Sequence, residues 1–125
     1  MKKILLLAIL AFGLTACQES IEERIARESA EFTQTKCPMP LDARGTMFLD
    51  SIVFDISTLT QSQYFRFDTI GMPQSQLRPV LIDELKKEPK YQLHREKGYS
   101  FHYVYRSLKD PDKILFETTL TKADY

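Results

Sequence analysis

Few side chains in this 125-residue chain could do chemistry, and Cys17 has the most informative surroundings. It follows Leu14-Thr15-Ala16, which closes an apolar run beginning at Ile4, itself preceded by Lys2 and Lys3. Positive charge, an apolar stretch and small residues in that order make a secretory signal. A cysteine directly after the small pair turns it into a lipidation signal. If Cys17 carries lipid, Cys37 has no intramolecular disulfide partner, because only two cysteines occur. Cys37 then reads as a small buried hydrophobe, with a reactive thiol or an intermolecular bridge as alternatives. His94 and His102 are the only imidazoles. His94 with Glu96 gives no ligand spacing suited to a metal, and His102 sits among aromatics on a strand, so both read as structural or surface residues. Neither a Gly-x-Ser-x-Gly elbow nor a Gly-rich phosphate loop occurs. Asp50 and Asp55 alternate onto opposite faces of one strand and so cannot act jointly. No catalytic residue, metal or cofactor is expected.

The sequence around Leu14-Thr15-Ala16-Cys17 resembles the lipobox of bacterial lipoproteins. That resemblance implies a diacylglyceryl thioether on Cys17, cleavage just before it and acylation of the new amino group. Residues 1–16 are then a cleaved signal peptide, 17–19 a lipidated tether and 20–125 one small domain. The eleven apolar residues Ile4–Leu14 would make a helix of roughly 16 Å, about half a hydrocarbon core, and charged sequence follows, so a permanent span is not expected. Each buried CH₂ contributes about 0.8 kcal/mol, and two or more chains anchor stably. In Gram-negative lipoproteins an Asp after the cysteine favours the inner membrane. Gln18 stands there instead, which implies the periplasmic side of the outer membrane.

Loss of Lys2 and Lys3 with the leader leaves 15 basic against 17 acidic residues, a net charge of −2 over 109 residues. That length suits one domain, and without a basic surplus nucleic-acid binding has no electrostatic support.

The elements that position these residues follow from pattern. Ser20-Ile21-Glu22-Glu23 is a capping box, and a helix of about residues 21–34 follows, with Ile21, Ile25 and Phe32 on one side. Pro38 and Pro40 enforce an extended link, most simply a rigid connector that includes Asp42 and Arg44. Thr46 to Ser57 and Tyr64 to Ile70 read as strands, with 58–63 as their loop. Leu77, Leu81 and Leu85 recur at i, i+4, i+8 and place a second helix near 74–88, either starting at Pro79 or kinked there. Lys90 to Lys97 adds a helical turn before Gly98. Tyr99, Phe101, Tyr103 and Tyr105 then alternate with Ser100, His102, Val104 and Arg106, the strongest strand signal in the chain. After a turn at Lys109–Asp112, Ile114 to Thr121 returns as a strand. The expected fold is α+β: helix, two strands, helix, two strands, with an antiparallel four-stranded sheet packed with helices on one face.

Beyond the leader, the segment Cys37-Pro38, Asp42, Thr46, Leu49-Asp50-Ser51 and Val53, then Tyr64, Phe65 and Phe67, resembles small secreted bacterial proteins of unassigned function. In those proteins a helix like Leu77–Lys87 precedes a Gly and a Tyr-rich strand like Gly98–Arg106, and a hairpin ends the chain. The resemblance covers roughly residues 35–125. Lys87 and Ala123-Asp124-Tyr125 stand where many of them carry cysteines, so a late disulfide joining the second helix to the C-terminus is absent here. The resemblance brings no catalytic residues.

The row Tyr99, Phe101, Tyr103, Tyr105 has two readings. It is either the inner sheet face beneath the second helix or an exposed platform for a glycan or a partner protein. The Leu77–Leu81–Leu85 stripe needs an apolar surface to cover, which favours the first. The expected function is a lipid-anchored accessory or protein-binding domain without enzymatic activity, joined to membrane lipid through Cys17 and to an envelope protein partner. Two alternatives compete with it. One is a small envelope hydrolase with His102 as general base, and the other a structural spacer without specific ligand.

Overall fold

A computed structural model describes residues 18–125. The leader and Cys17, with the cleavage and lipidation expected there, lie outside the described residues. Helix α1 spans Ile21–Lys36 and is capped by Ser20, whose hydroxyl accepts the Glu23 N–H at 3.0 Å. A short strand β1 (Met39–Pro40) leads through a turn into β2 (Met47–Asp55) and β3 (Thr60–Phe67). Helix α2 (Gln74–Lys87), a 3₁₀ turn (Pro89–Tyr91) and helix α3 (Gln92–Lys97) precede β4 (Ser100–Ser107) and β5 (Ile114–Leu120).

The α+β class and the alternation of helices with strand pairs are as expected; the sheet differs. It has five strands in the order β1-β2-β3-β4-β5, and it is mixed, because β3 and β4 run parallel from Thr60↔Ser100 to Phe67↔Ser107. Parallel neighbours need a long crossover, and α2 with α3 provides it, returning the chain to the end of the sheet where β3 began. The extended link at Pro38-Met39-Pro40 supplies the fifth strand by pairing Met39 with Leu49 and Pro40 with Phe48.

β3 begins at Thr60, four residues before the expected start. Thr60-Gln61-Ser62-Gln63 has the composition of a loop, yet Gln61 and Gln63 are buried on the helix-covered face. Each finds a partner there: the Gln63 amide donates to the Tyr91 hydroxyl at 3.0 Å, and Gln61 meets the His94 ring at 3.0 Å. Buried polar groups are tolerated when so satisfied.

In β2 the expected parity breaks at a bulge between Leu49 and Ser51. One extra residue moves the core face from odd to even positions, so Leu49 and Phe54 are both buried on the same side. Asp50 lies on the other face, paired with Arg66 at 2.7 Å, while Asp55 folds into the following turn and accepts the Ser57 N–H at 2.9 Å. The two carboxylates are therefore separated by the bulge and the turn rather than by simple alternation.

Both long helices cover one face of the sheet. Leu77, Leu81 and Leu85 of α2 pack with Leu49, Phe65, Phe101, Tyr103, Tyr105 and Leu120, and Phe32 of α1 joins that cluster. Ile25 forms a second cluster with Phe54 and Tyr99. α2 begins after Pro73, with Pro79 inside it. Its C-terminal end is held by Arg95, whose guanidinium donates to the carbonyls of Leu85 and Glu88, both at 2.7 Å. α2 is joined to the C-terminus without a disulfide: Arg78 pairs with Asp124 at 3.0 Å and Tyr125 packs against the main cluster.

α1 also closes the open edge of β2. The Thr33 hydroxyl accepts the Ile52 N–H and donates to the Ile52 carbonyl, both at 3.0 Å. One side chain thus does the work of a neighbouring strand at that position.

Candidate functional site

The aromatic row does not form an exposed platform. Tyr99, Phe101, Tyr103 and Tyr105 retain 1, 0, 6 and 5 % of their surface, because α1 and α3 lie over Tyr99 and the leucines of α2 pack with the other three. Their every-second-residue spacing into and along β4 directs them all to the covered face. Phe65 stacks on Tyr105 with centroids 4.8 Å apart, and Phe67 meets the same ring edge-on at 5.0 Å.

The helices do not cover that face completely. Between α2 and the centre of the sheet lies a cavity of about 550 Å³, floored by Gln63, Phe65, Tyr103 and Tyr105 and walled by Leu81, Glu84, Leu85 and Glu88. A second cavity of about 350 Å³ lies beneath α1, lined by Ile25, Ser29, Phe32, Leu49, Ile52 and Gln61 among others. Gln63, Lys90 and Tyr91 line both, so the two form one interrupted groove between α1 and α2.

Among the described residues, neither the Tyr103 nor the Tyr105 hydroxyl has a hydrogen-bond partner. Burial pushes both phenols well above their ordinary value of 10, and the Glu84 carboxylate nearby adds to the effect. Both remain protonated donors at any physiological pH. Glu84 and Glu88 add acceptors, and Lys87 and Lys90 add positive charge at the rim. The groove therefore offers aromatic and aliphatic floor area with a few fixed polar groups, the make-up of a binding site.

His94 closes the α1 side. Burial lowers its pKa from the ordinary 6.5, and its Nδ1 is buried without a partner. It is neutral at pH 7 and edges against Tyr91 and Tyr99. Cys37 is a free, half-buried thiol packed against the main cluster. Its pKa is raised by burial and then by Asp50, which disfavours the reactive thiolate.

His102 lies on the opposite, uncovered face. Its Nε2 stands 2.6 Å from Glu117 and its Nδ1 3.1 Å from the Ser62 hydroxyl. Serine, imidazole and carboxylate in that order are the parts of a hydrolytic triad. The parallel register Ser62↔His102 and the pairing of β4 with β5 assemble them, so neither Ser62 nor Glu117 could be read from spacing alone. Among the described residues, neither of the two groove cavities is lined by any of the three. Ser62 and His102 lie on the central strands β3 and β4, which are hydrogen-bonded to neighbours on both sides. The backbone N–H groups around them are therefore committed to the ladder rather than to an oxyanion. Among the described residues no group of three or more His, Cys, Asp or Glu side chains comes together to hold a metal ion.

The groove was only half legible. Tyr103 and Tyr105 belong to the aromatic row, but Gln63, Glu84, Lys90 and Tyr91 come from β3, α2 and the 3₁₀ turn with no distinguishing local signal.

Residues 20–116 match the family described as a domain of unknown function, DUF8479, and the chain belongs to that family. The match takes in α1, which the sequence resemblance over 35–125 had omitted. No curated protein matches the chain. Among solved structures it is similar to the pilotin EpsS from the Vibrio vulnificus type 2 secretion system, at 10 % identity and a TM-score of 0.58 over 82 % of this chain and 93 % of that one. It is also similar to the type II secretion system pilotin AspS from Vibrio cholerae, at 13 % identity and a TM-score of 0.61 over 83 % and 91 %. A Pseudomonas aeruginosa protein described as secreted gives 8 % identity and a TM-score of 0.62 over 86 % and 98 %. At these identities the likeness is one of fold. Among the described residues no helix is long and apolar enough to cross a membrane.

Proposed function

We propose that this protein is a lipid-anchored accessory protein of the bacterial envelope, held through Cys17 at the periplasmic side of the outer membrane, that binds a protein partner in the groove between α1 and α2. One observation carries the reading: a built groove whose floor presents two protonated tyrosine hydroxyls without internal partners. The pilotin fold shared with two secretion-system proteins supports an envelope role and favours a component of a secretion assembly as the partner. Tethering multiplies the value of a weak groove, because confinement to one surface raises the effective concentration of both partners.

The anchor and the groove are tested separately. Cys17→Ser should leave an unprocessed or mislocalised precursor. Normal cleavage and membrane retention in that variant would remove the anchor. For the groove, a photo-crosslinking residue at Glu88 should capture one envelope protein in cells, whereas the same residue at Thr119 on the uncovered face should not. Tyr103→Phe and Tyr105→Phe together should weaken that capture while leaving the fold intact. Equal capture from both positions, or full function after replacing the domain with an unrelated one, would point to a spacer instead.

A further inference from the structure

The end of the molecule at which α1 begins carries a feature that the groove does not use. α1 runs antiparallel to β2: Thr33 bonds Ile52, and Ile25, two turns earlier, packs on Phe54. The Ser20 cap therefore lies at the end of the sheet where β2 turns into β3. At that same end Ile21, Ile56 and Leu59 retain 37, 45 and 41 % of their surface, although they are aliphatic.

Leu59 is the only non-glycine among the described residues with a positive φ, at 52°. Glycine or asparagine takes that conformation more easily, and a branched apolar side chain gains nothing from solvent there. The turn that presents it is fastened on both sides. Asp55 accepts the N–H and hydroxyl of Ser57 at 2.9 and 2.6 Å, and the Leu59 carbonyl accepts the Ser100 N–H at 3.0 Å. Ile56 and Leu59 thus project from a fixed loop.

The approach to α1 is fixed as well. Glu19, outside the helix, is held by Arg27 through two hydrogen bonds of 2.6 and 3.2 Å, and Glu22 accepts the Tyr99 hydroxyl at 2.8 Å. Only Gln18 and Glu19 separate Cys17 from the cap, roughly 10 Å of extended chain. A lipid on Cys17 would bring this end, and no other, to the bilayer.

We propose that Ile56 and Leu59 form a membrane-contact tip that enters the interfacial layer beside the anchor and fixes the domain's orientation, with the α1–α2 groove carried at a set angle to the bilayer. This rests on the lipid-anchor reading of Cys17. Charges at this end are mixed, with Glu19 near Arg24 and Glu22 near Lys97. The contact is therefore apolar, and a zwitterionic surface suffices for it.

The chain has no tryptophan, so single substitutions give clean emitters. Full-length protein carrying Ile56→Trp, Leu59→Trp or Ile114→Trp is processed in cells and reconstituted into phosphatidylcholine vesicles with or without brominated chains. Ile114 is exposed at the opposite end of the sheet. The tip emitters should be blue-shifted and quenched by brominated lipid, while the Ile114→Trp protein should show neither. Should Leu59→Trp fail to fold, Ile56→Trp decides. Mass spectrometry of the N-terminal peptide reads the anchor independently. A lipidated protein whose tip emits like position 114, or is blue-shifted without lipid quenching, overturns the tip and leaves the anchor standing. An unlipidated Cys17 overturns both.

Discussion

The two faces of the sheet are made by alternate residues of the same strands, yet they are stabilised by different means. On the covered face Phe101, Tyr103, Tyr105, Phe65 and Leu120 form one apolar cluster with the leucines of α2. On the uncovered face the strands are bridged by polar pairs. Arg66 pairs with Asp50 while its guanidinium lies 5.1 Å over the Phe48 ring, and His102 joins Ser62 to Glu117. Val104 is nearly fully buried on that face without any helix above it, flanked by Tyr64 and Glu117 on the neighbouring strands. The comparison teaches that burial holds the fold on one side. The side-chain pairs of the other bridge neighbouring strands and contribute little to stability.

The strongest challenge to that division is Phe101→Ala, which empties a fully enclosed site and should cost about 3–5 kcal/mol in denaturant unfolding. A loss as small as that of a surface substitution would show that the covered face is not where stability resides. Thr33→Val keeps volume but strands the Ile52 N–H and carbonyl at the β2 edge, with an expected loss of about 1–3 kcal/mol. An unchanged midpoint would mean that water replaces the clamp.

Acid provides a graded test through His94. Its native pKa lies below 6.5, so well above that pH neither the native nor the unfolded imidazole is charged and it contributes no pH dependence. Below 6.5 the unfolded state takes up a proton first, and stability falls with pH until the native pKa is passed. Midpoints at about pH 7.5 and about pH 5 should therefore differ, and the difference should shrink in His94→Phe. An equal slope in both proteins would assign the acid sensitivity to other groups. The smallest effect is expected on the open face, where His102→Ala should change stability by no more than about 0.5 kcal/mol. A loss several times larger would show that the Ser62–His102–Glu117 row is structural.

Some of this was decided locally. Ser20 caps α1, Leu77, Leu81 and Leu85 face the core, and Phe101, Tyr103 and Tyr105 of the aromatic row join their cluster while Tyr99 packs with Ile25 of α1, because capping and periodicity depend only on near neighbours in the chain. Other features needed distant residues to meet. The bulge at Asp50 that changes the parity of β2, the burial of Gln61 and Gln63, and the parallel pairing that sets Ser62 beside His102 depend on partners far along the chain. The groove belongs to this second kind. Its floor draws on β2, β3 and β4 and its long walls are two helices, and how far apart helices rest on a sheet is settled by packing across the whole face, a quantity no local pattern encodes.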